Sequence, residues 1–137
     1  MKGERGFTLI ELLVVIAIVV ILAVFLVPRL LAAQDRARNA AIAAIVRDLQ
    51  TAVQAYEVDN NTPPQYATTV GCGTLAGDLV TSKHLPAVPK NPFTNADCDD
   101  TDTAGKIEYQ FDSTTGKYTI TGYGRDGTTV VITVSNF

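Results

Sequence analysis

The sequence predicts an α+β fold in which a long N-terminal helix packs its second, amphipathic half on a three-stranded antiparallel sheet, while its apolar first half projects beyond that domain. Three observations carry this expectation. Apolar residues run without a break from Leu12 to Val27. Ile42, Ile45, Leu49, Ala52 and Tyr56 recur at spacings of three and four, which is one face of a helix. After Gly105 the period falls to two: Ile107, Tyr109 and Phe111 alternate with Glu108, Gln110 and Asp112.

Counted from Phe7 to Val27, the first element is interrupted only by Thr8 and Glu11. As a helix it is about 31 Å long, the thickness of a bilayer's hydrocarbon core. A secretory signal has a shorter apolar core that ends in small residues at its cleavage site; here the run continues to Pro28 and Arg29, so the segment is expected to be kept as an anchor. Lys2 and Arg5 precede it, which holds the N-terminus in the cytoplasm and sends the residues after Arg29 to the outer, oxidising side.

From Arg29 the helix becomes amphipathic, with Arg36, Arg38, Arg47, Asp48 and Glu57 off the apolar stripe. It is expected to stop near Asp59-Asn60-Asn61-Thr62-Pro63-Pro64, because the prolines cannot continue the hydrogen-bonded ladder. A connector rich in Gly and Pro follows, with a short helix expected over Thr74–Ser82. Three strands come next: one around Ile107–Phe111, a second from Tyr118 to Tyr123 after the turn Thr114-Thr115-Gly116-Lys117, and a third from Thr129 to Ser135 after Gly124-Arg125-Asp126-Gly127. A sheet with one apolar face needs a cover, and the Ile42–Tyr56 stripe is the long amphipathic helix available to supply it. The expected divisions are 1–6, 7–28, 29–60 and 61–137, the last made of a connector (61–105) and the sheet (106–137).

The chain has 137 residues and a formal charge of -3, which gives no basic footprint for a phosphate backbone, so direct nucleic-acid binding is not indicated. Cys72 and Cys98 both lie in the exported part and are expected to pair as a disulfide, the alternative being two buried thiols. The four carboxylates of Asp97-Cys98-Asp99-Asp100-Thr101-Asp102 have the oxygen chemistry of a calcium site, but the loop lacks the spacing and glycine of an EF-hand, so a solvated acidic loop is expected and no metal is assigned. His84 reads as a loop residue, and Ser82, Ser113 and Ser135 show no recognisable base nearby. Tyr66, Tyr109, Tyr118 and Tyr123 read as core more than as a stacking surface. No catalytic constellation and no cofactor motif is found, and the chain is expected not to be an enzyme.

Glu11 is the residue that needs explaining. An ionised carboxylate inside a bilayer costs several kcal/mol, and such residues are usually paired and functional. No cation occurs between Phe7 and Val27, so the partner must be a new α-amine, another chain, or an end made by cleavage. Gly6 is the small residue just ahead of the apolar run; cutting after it removes Lys2, Glu4 and Arg5 together and leaves a single ammonium on Phe7.

Gly6-Phe7-Thr8-Leu9-Ile10-Glu11, with its short charged leader, the apolar run and Pro28, resembles the class III signal and N-terminal helix of type IV prepilins and type II secretion pseudopilins. The resemblance implies that a prepilin peptidase removes a leader at 1–6, that Phe7 is N-methylated, and that Glu11 pairs with the Phe7 amine of a neighbouring subunit in a homopolymeric filament. It also implies an inner-membrane assembly platform and a motor ATPase as partners. Pro28 frees the carbonyl of Val24, so the helix is expected to kink or loosen there, although Val20 stands where similar pilins often carry Gly.

Two readings lie within that superfamily and one outside it. The leading one is a pilin of an extracellular type IV filament. The second is a major pseudopilin: Leu85–Phe93 and Tyr118–Gly127 look similar to the pseudopilin pattern of a Pro-rich loop and a terminal Gly-x-Asp-Gly turn, whereas the disulfide and the third strand depart from it. The third is a membrane-anchored binding module that never polymerises.

Overall fold

The computed structural model describes residues 6–136. Its elements are helix α1 (Leu9–Asn60), strand β1 (Val70–Gly71), helix α2 (Cys72–Thr81) and strands β2 (Ile107–Asp112), β3 (Lys117–Tyr123) and β4 (Val130–Ser135). The fold is α+β, a long N-terminal helix with a four-stranded antiparallel sheet. The chain divides into two compact units, Met1–Gln34 and Asp35–Phe137.

In the first unit every large apolar side chain from Phe7 to Leu31 is at least half exposed. An apolar surface of this extent is stable only in lipid or against other helices. α1 runs through Pro28 without interruption, although that residue contributes no amide donor.

In the second unit, α1 buries Ile42, Val46, Leu49, Ala52 and Val53. They join Leu75, Ala76 and Leu79 of α2 and Ile107, Tyr109, Tyr118 and Ile120 of the sheet in one core. The buried line is turned slightly from the expected one: Val46 and Val53 occupy its centre, and Ile45 and Tyr56 pack at its margin. The sequence offers two adjacent apolar lines, and the sheet selects between them at Gly122. A Cβ on Gly122 would lie 2.7 Å from Cγ2 of Ile42 and 2.9 Å from Cγ2 of Val46, so the missing side chain sets how closely the helix approaches β3.

The sheet is a meander in the order β1-β2-β3-β4. β2 and β3 pair from Ile107↔Gly122 to Asp112↔Lys117, across a turn that Gly116 closes at φ 69°. β3 and β4 pair with a register shift at Gly122/Tyr123. The three expected strands are present, and the connector adds a fourth, β1, through Val70↔Tyr109 and Gly71↔Glu108. Two residues are too few for a period to register.

The short helix lies at Cys72–Thr81, two residues earlier than expected at its start. Its N-cap is Gly71, whose side chain offers no acceptor. The cap comes from elsewhere: Asp100 accepts from the Thr74 amide (2.8 Å) and from the Thr74 hydroxyl. The Cys72–Cys98 disulfide, with Cα atoms 5.7 Å apart, holds the loop bearing Asp100 against the start of α2.

On the sheet, Glu108 accepts from Lys106 Nζ at 2.5 Å and from the Tyr123 hydroxyl at 2.9 Å. The Lys106 bond holds the Glu108 carboxyl below its ordinary 4.5 and lifts the Lys106 ammonium above 10.5. Because the folded carboxyl is depressed, its contribution is fully present above pH 4.5 and is lost as pH falls through the folded value.

Two outcomes are expected for the full chain in detergent micelles. Leu49→Ala should destabilise the second unit by about 2–5 kcal/mol in denaturant titration, with a small effect excluding a well-packed site. Glu108→Gln should cost roughly 0.5 kcal/mol at neutral pH, the pair being partly solvated, and the difference from the unaltered chain should vanish on acidification below the carboxyl's range.

Candidate assembly and processing site

Helix α1 starts with a capping box. Thr8 is the N-cap, and its carbonyl accepts the first helical bond from Leu12 (3.3 Å). The Glu11 amide donates to Thr8 Oγ1 at 3.3 Å, and Oε2 of Glu11 accepts from both the Thr8 amide (2.9 Å) and the Thr8 hydroxyl (2.8 Å). The carboxylate thus satisfies donors of the first turn and lies at the favourable end of the helix dipole. Thr8, in the sequence an interruption of the apolar run, is the capping residue of this helix. Its signal was legible, since Thr8-Leu9-Ile10-Glu11 is the S/T-x-x-E pattern ahead of an apolar run.

Glu11 shares an open cleft of about 400 Å³ with Phe7, Ile10, Val14 and Val15. Among the described residues it makes no ion pair. Phe7 is 79% exposed and lies just outside the helix, and Gly6 has open space around its Cα. The remainder of the leader, with Lys2, Glu4 and Arg5, lies outside the described residues. Among the described residues one helix, α1, is long and apolar enough to cross a membrane.

The candidates of the second unit are engaged individually. Asp99 accepts from the amide and hydroxyl of Thr101, which holds its carboxyl below the usual range, and Asp102 accepts from the Asp99 amide. Asp97 faces Lys90 at 3.8 Å, and Asp100 caps α2. The acidic loop is therefore a set of local turns and caps.

His84 is more than a loop residue. Its Nε2 lies 2.9 Å from Asp59 Oδ2 and its Nδ1 2.9 Å from Ser82 Oγ, so Ser82 does have an imidazole beside it, two residues on in sequence. The order Asp-His-Ser resembles a nucleophilic triad, but the Ser82 hydroxyl donates to the carbonyls of Asp78 (2.8 Å) and Leu79 (3.2 Å) at the end of α2. A proton committed to a helix C-terminus is not held for transfer to the imidazole. The arrangement ties the end of α1 to the end of α2. Tyr109 and Tyr118 are buried and stacked with centroids 5.6 Å apart; Tyr66 and Tyr123 sit at the margins, bonded to Asp78 and Glu108.

Residues 1–27 match a family model described as the prokaryotic N-terminal methylation motif. The chain is 49% identical over 61 residues to the major component of the type IV wide pilus of Thermus thermophilus, an alignment covering 44% of this chain and 47% of that relative. It is 38% identical over 63 residues to the type II secretion system core protein G of Klebsiella michiganensis, covering 46% of this chain and 44% of the relative. For these two the chain's match spans less than half of the relative's length. Core protein G of Dickeya chrysanthemi is 31% identical over 128 residues, which is 92% of this chain and 80% of that protein. No solved structure matches. The methylation motif lies over the exposed apolar helix and its capping box, and the core protein G alignment continues through the sheet. The chain belongs to the type IV pilin and type II secretion pseudopilin superfamily.

Proposed function

We propose that this chain is a structural subunit of a type IV pilus. A prepilin peptidase cleaves it after Gly6, Phe7 is N-methylated, and subunits leave the inner membrane through an assembly platform driven by a motor ATPase to form an extracellular homopolymer. In this reading residues 1–6 are the leader, 7–28 the membrane and filament-core helix, 29–60 the amphipathic helix and 61–137 the head. The observation that carries it is Glu11: a carboxylate on an exposed apolar helix, with a Thr8 cap and no ion pair among the described residues. Neutral donors stabilise a carboxylate less than an ammonium does when both are taken out of water. A neighbour's Phe7 amine therefore outcompetes the cap once helices pack, and the pair fixes register. Helix–helix packing and lipid contact are nearly equivalent for the apolar residues, so the direction of assembly comes from the motor. Pro28, with no amide donor, is where the helix loosens in the polymer.

A major pseudopilin of a type II secretion system is the second reading, favoured by the alignment with core protein G over nearly the whole chain. Shearing of cells followed by electron microscopy separates the readings. Long detached fibres containing this chain support the pilus, and material confined to the periplasm supports the pseudopilin. Material found in the membrane alone, with the leader intact, overturns both in favour of an anchored module.

Mass spectrometry of the mature chain should find Phe7 first and one methyl group on its nitrogen; retention of residues 1–6 overturns the processing step. Glu11→Gln should leave cleavage intact and lower fibre yield about tenfold or more, the effect of losing at least ~1.4 kcal/mol per contact. Unchanged yield overturns the pairing. Thr8→Ala should speed exchange of the Glu11 amide about fivefold in the detergent-solubilised monomer, the equivalent of a cap contribution near ~1 kcal/mol.

A further inference from the structure

Away from the assembly helix, the second unit carries a cavity of about 310 Å³ lined by Tyr56, Pro64, Tyr66, Asp78, Thr81 and Ser82, among others. Its chemistry is specific. Tyr66 donates its hydroxyl to Asp78 Oδ2 at 2.6 Å, and its ring rests edge-on against the buried Tyr109, with centroids 5.7 Å apart. Burial and the Asp78 carboxylate push the Tyr66 hydroxyl well above its ordinary 10.0, so it stays a donor. Tyr56 is held by an edge contact to His84 at 5.3 Å, and His84 in turn by Asp59 and Ser82. Both rings are thus fixed before anything binds.

Asp78 is the unmatched member. Its Oδ2 accepts from Tyr66, and no ion pair reaches the carboxylate among the described residues. The neighbouring His84 is directed at Asp59. Thr81 and Ser82 turn their hydroxyls to the carbonyls of Gly77, Asp78 and Leu79, so neither offers the cavity a donor for the carboxylate. An exposed carboxylate at the rim of a cavity walled by two half-buried tyrosine rings attracts one kind of ligand above others. Ring quadrupoles and the fixed negative charge both favour an organic cation, and neither favours an anion or a neutral polar group.

We infer that the Tyr56–Tyr66–Asp78 cavity binds an alkylammonium group, taken either from a small quaternary amine or from a lysine side chain of another protein. The inference is independent of how the chain assembles. The carboxylate supplies charge, and the two tyrosines replace part of the ammonium's hydration shell. The cavity has room for a trimethylammonium head or the end of a lysine.

The test uses the full chain, isotope-labelled in detergent micelles, with amide shifts of Gln65, Asp78, Thr81 and Ser82 followed by NMR. Choline chloride and N-acetyl-lysine methylamide are the cationic probes, and 3,3-dimethyl-1-butanol is the neutral isostere of choline. Saturable shifts with Kd on the order of millimolar are expected for a cationic probe, and the tighter of the two identifies the source. Asp78→Asn keeps an acceptor for Tyr66 and should weaken binding about tenfold; Tyr56→Leu should weaken it roughly threefold, with amides elsewhere in the core unmoved. Three results overturn the inference: no saturable shift with either cation, equal affinity for the neutral isostere, or an Asp78→Asn chain that binds as well as the unaltered one.

Discussion

The structure depends on the contact between one line of α1 and β3 at Gly122. Ile42 and Val46 reach the sheet there because no side chain intervenes, and Leu49 and Val53 continue the seam over Tyr109, Tyr118 and Ile120. Each fully buried aliphatic side chain of that line is worth about 1.5–3 kcal/mol, far more than a surface ion pair such as Lys90–Asp97. The sheet has one covered face because this helix covers it. The strands in turn pair only with their sequence neighbours: short turns join β2, β3 and β4, whereas α2 and a long connector separate β1 from β2.

The same helix meets a different problem nearer its start. From Phe7 to Leu31 it has no protein against it among the described residues, and its side chains are satisfied equally by lipid tails or by other apolar helices. Non-directional burial cannot choose an axial position. A single carboxylate can, because its partners are few and its misplacement costs several kcal/mol at low dielectric. The capping box gives the Glu11 carboxylate neutral donors at Oε2, and among the described residues Oε1 is uncommitted.

Much of this was legible in the sequence, for reasons that differ by element. The apolar run and the period-two alternation are long, regular signals, and they located α1, β2, β3 and β4 to within a residue or two. The exported position of both cysteines gave their pairing. The exact buried line of α1 was not legible, since two neighbouring apolar lines are equally good by spacing and the choice is made by Gly122, far away in sequence. β1 was too short to register. The His84–Asp59 contact joins residues that periodicity does not relate. Thr8 is the instructive omission: the helix was expected to begin at Phe7 as part of the apolar run, so a capping pattern in plain view was read as an interruption. The position of Asp78 beside Tyr66 needed the fold, because it requires the connector to bring residue 66 against α2.

The cap of α2 leads to a consequence about maturation. Gly71 leaves that helix without an acceptor of its own, and the substitute sits two residues beyond Cys98, whose sulfur is bonded to the first residue of the helix. Oxidising one thiol pair therefore also holds a carboxylate at the amide and hydroxyl of Thr74, in the first turn of the helix. Reducing that bond would act on the first turn of α2 as a remote cap mutation does, by freeing the loop that carries the acceptor.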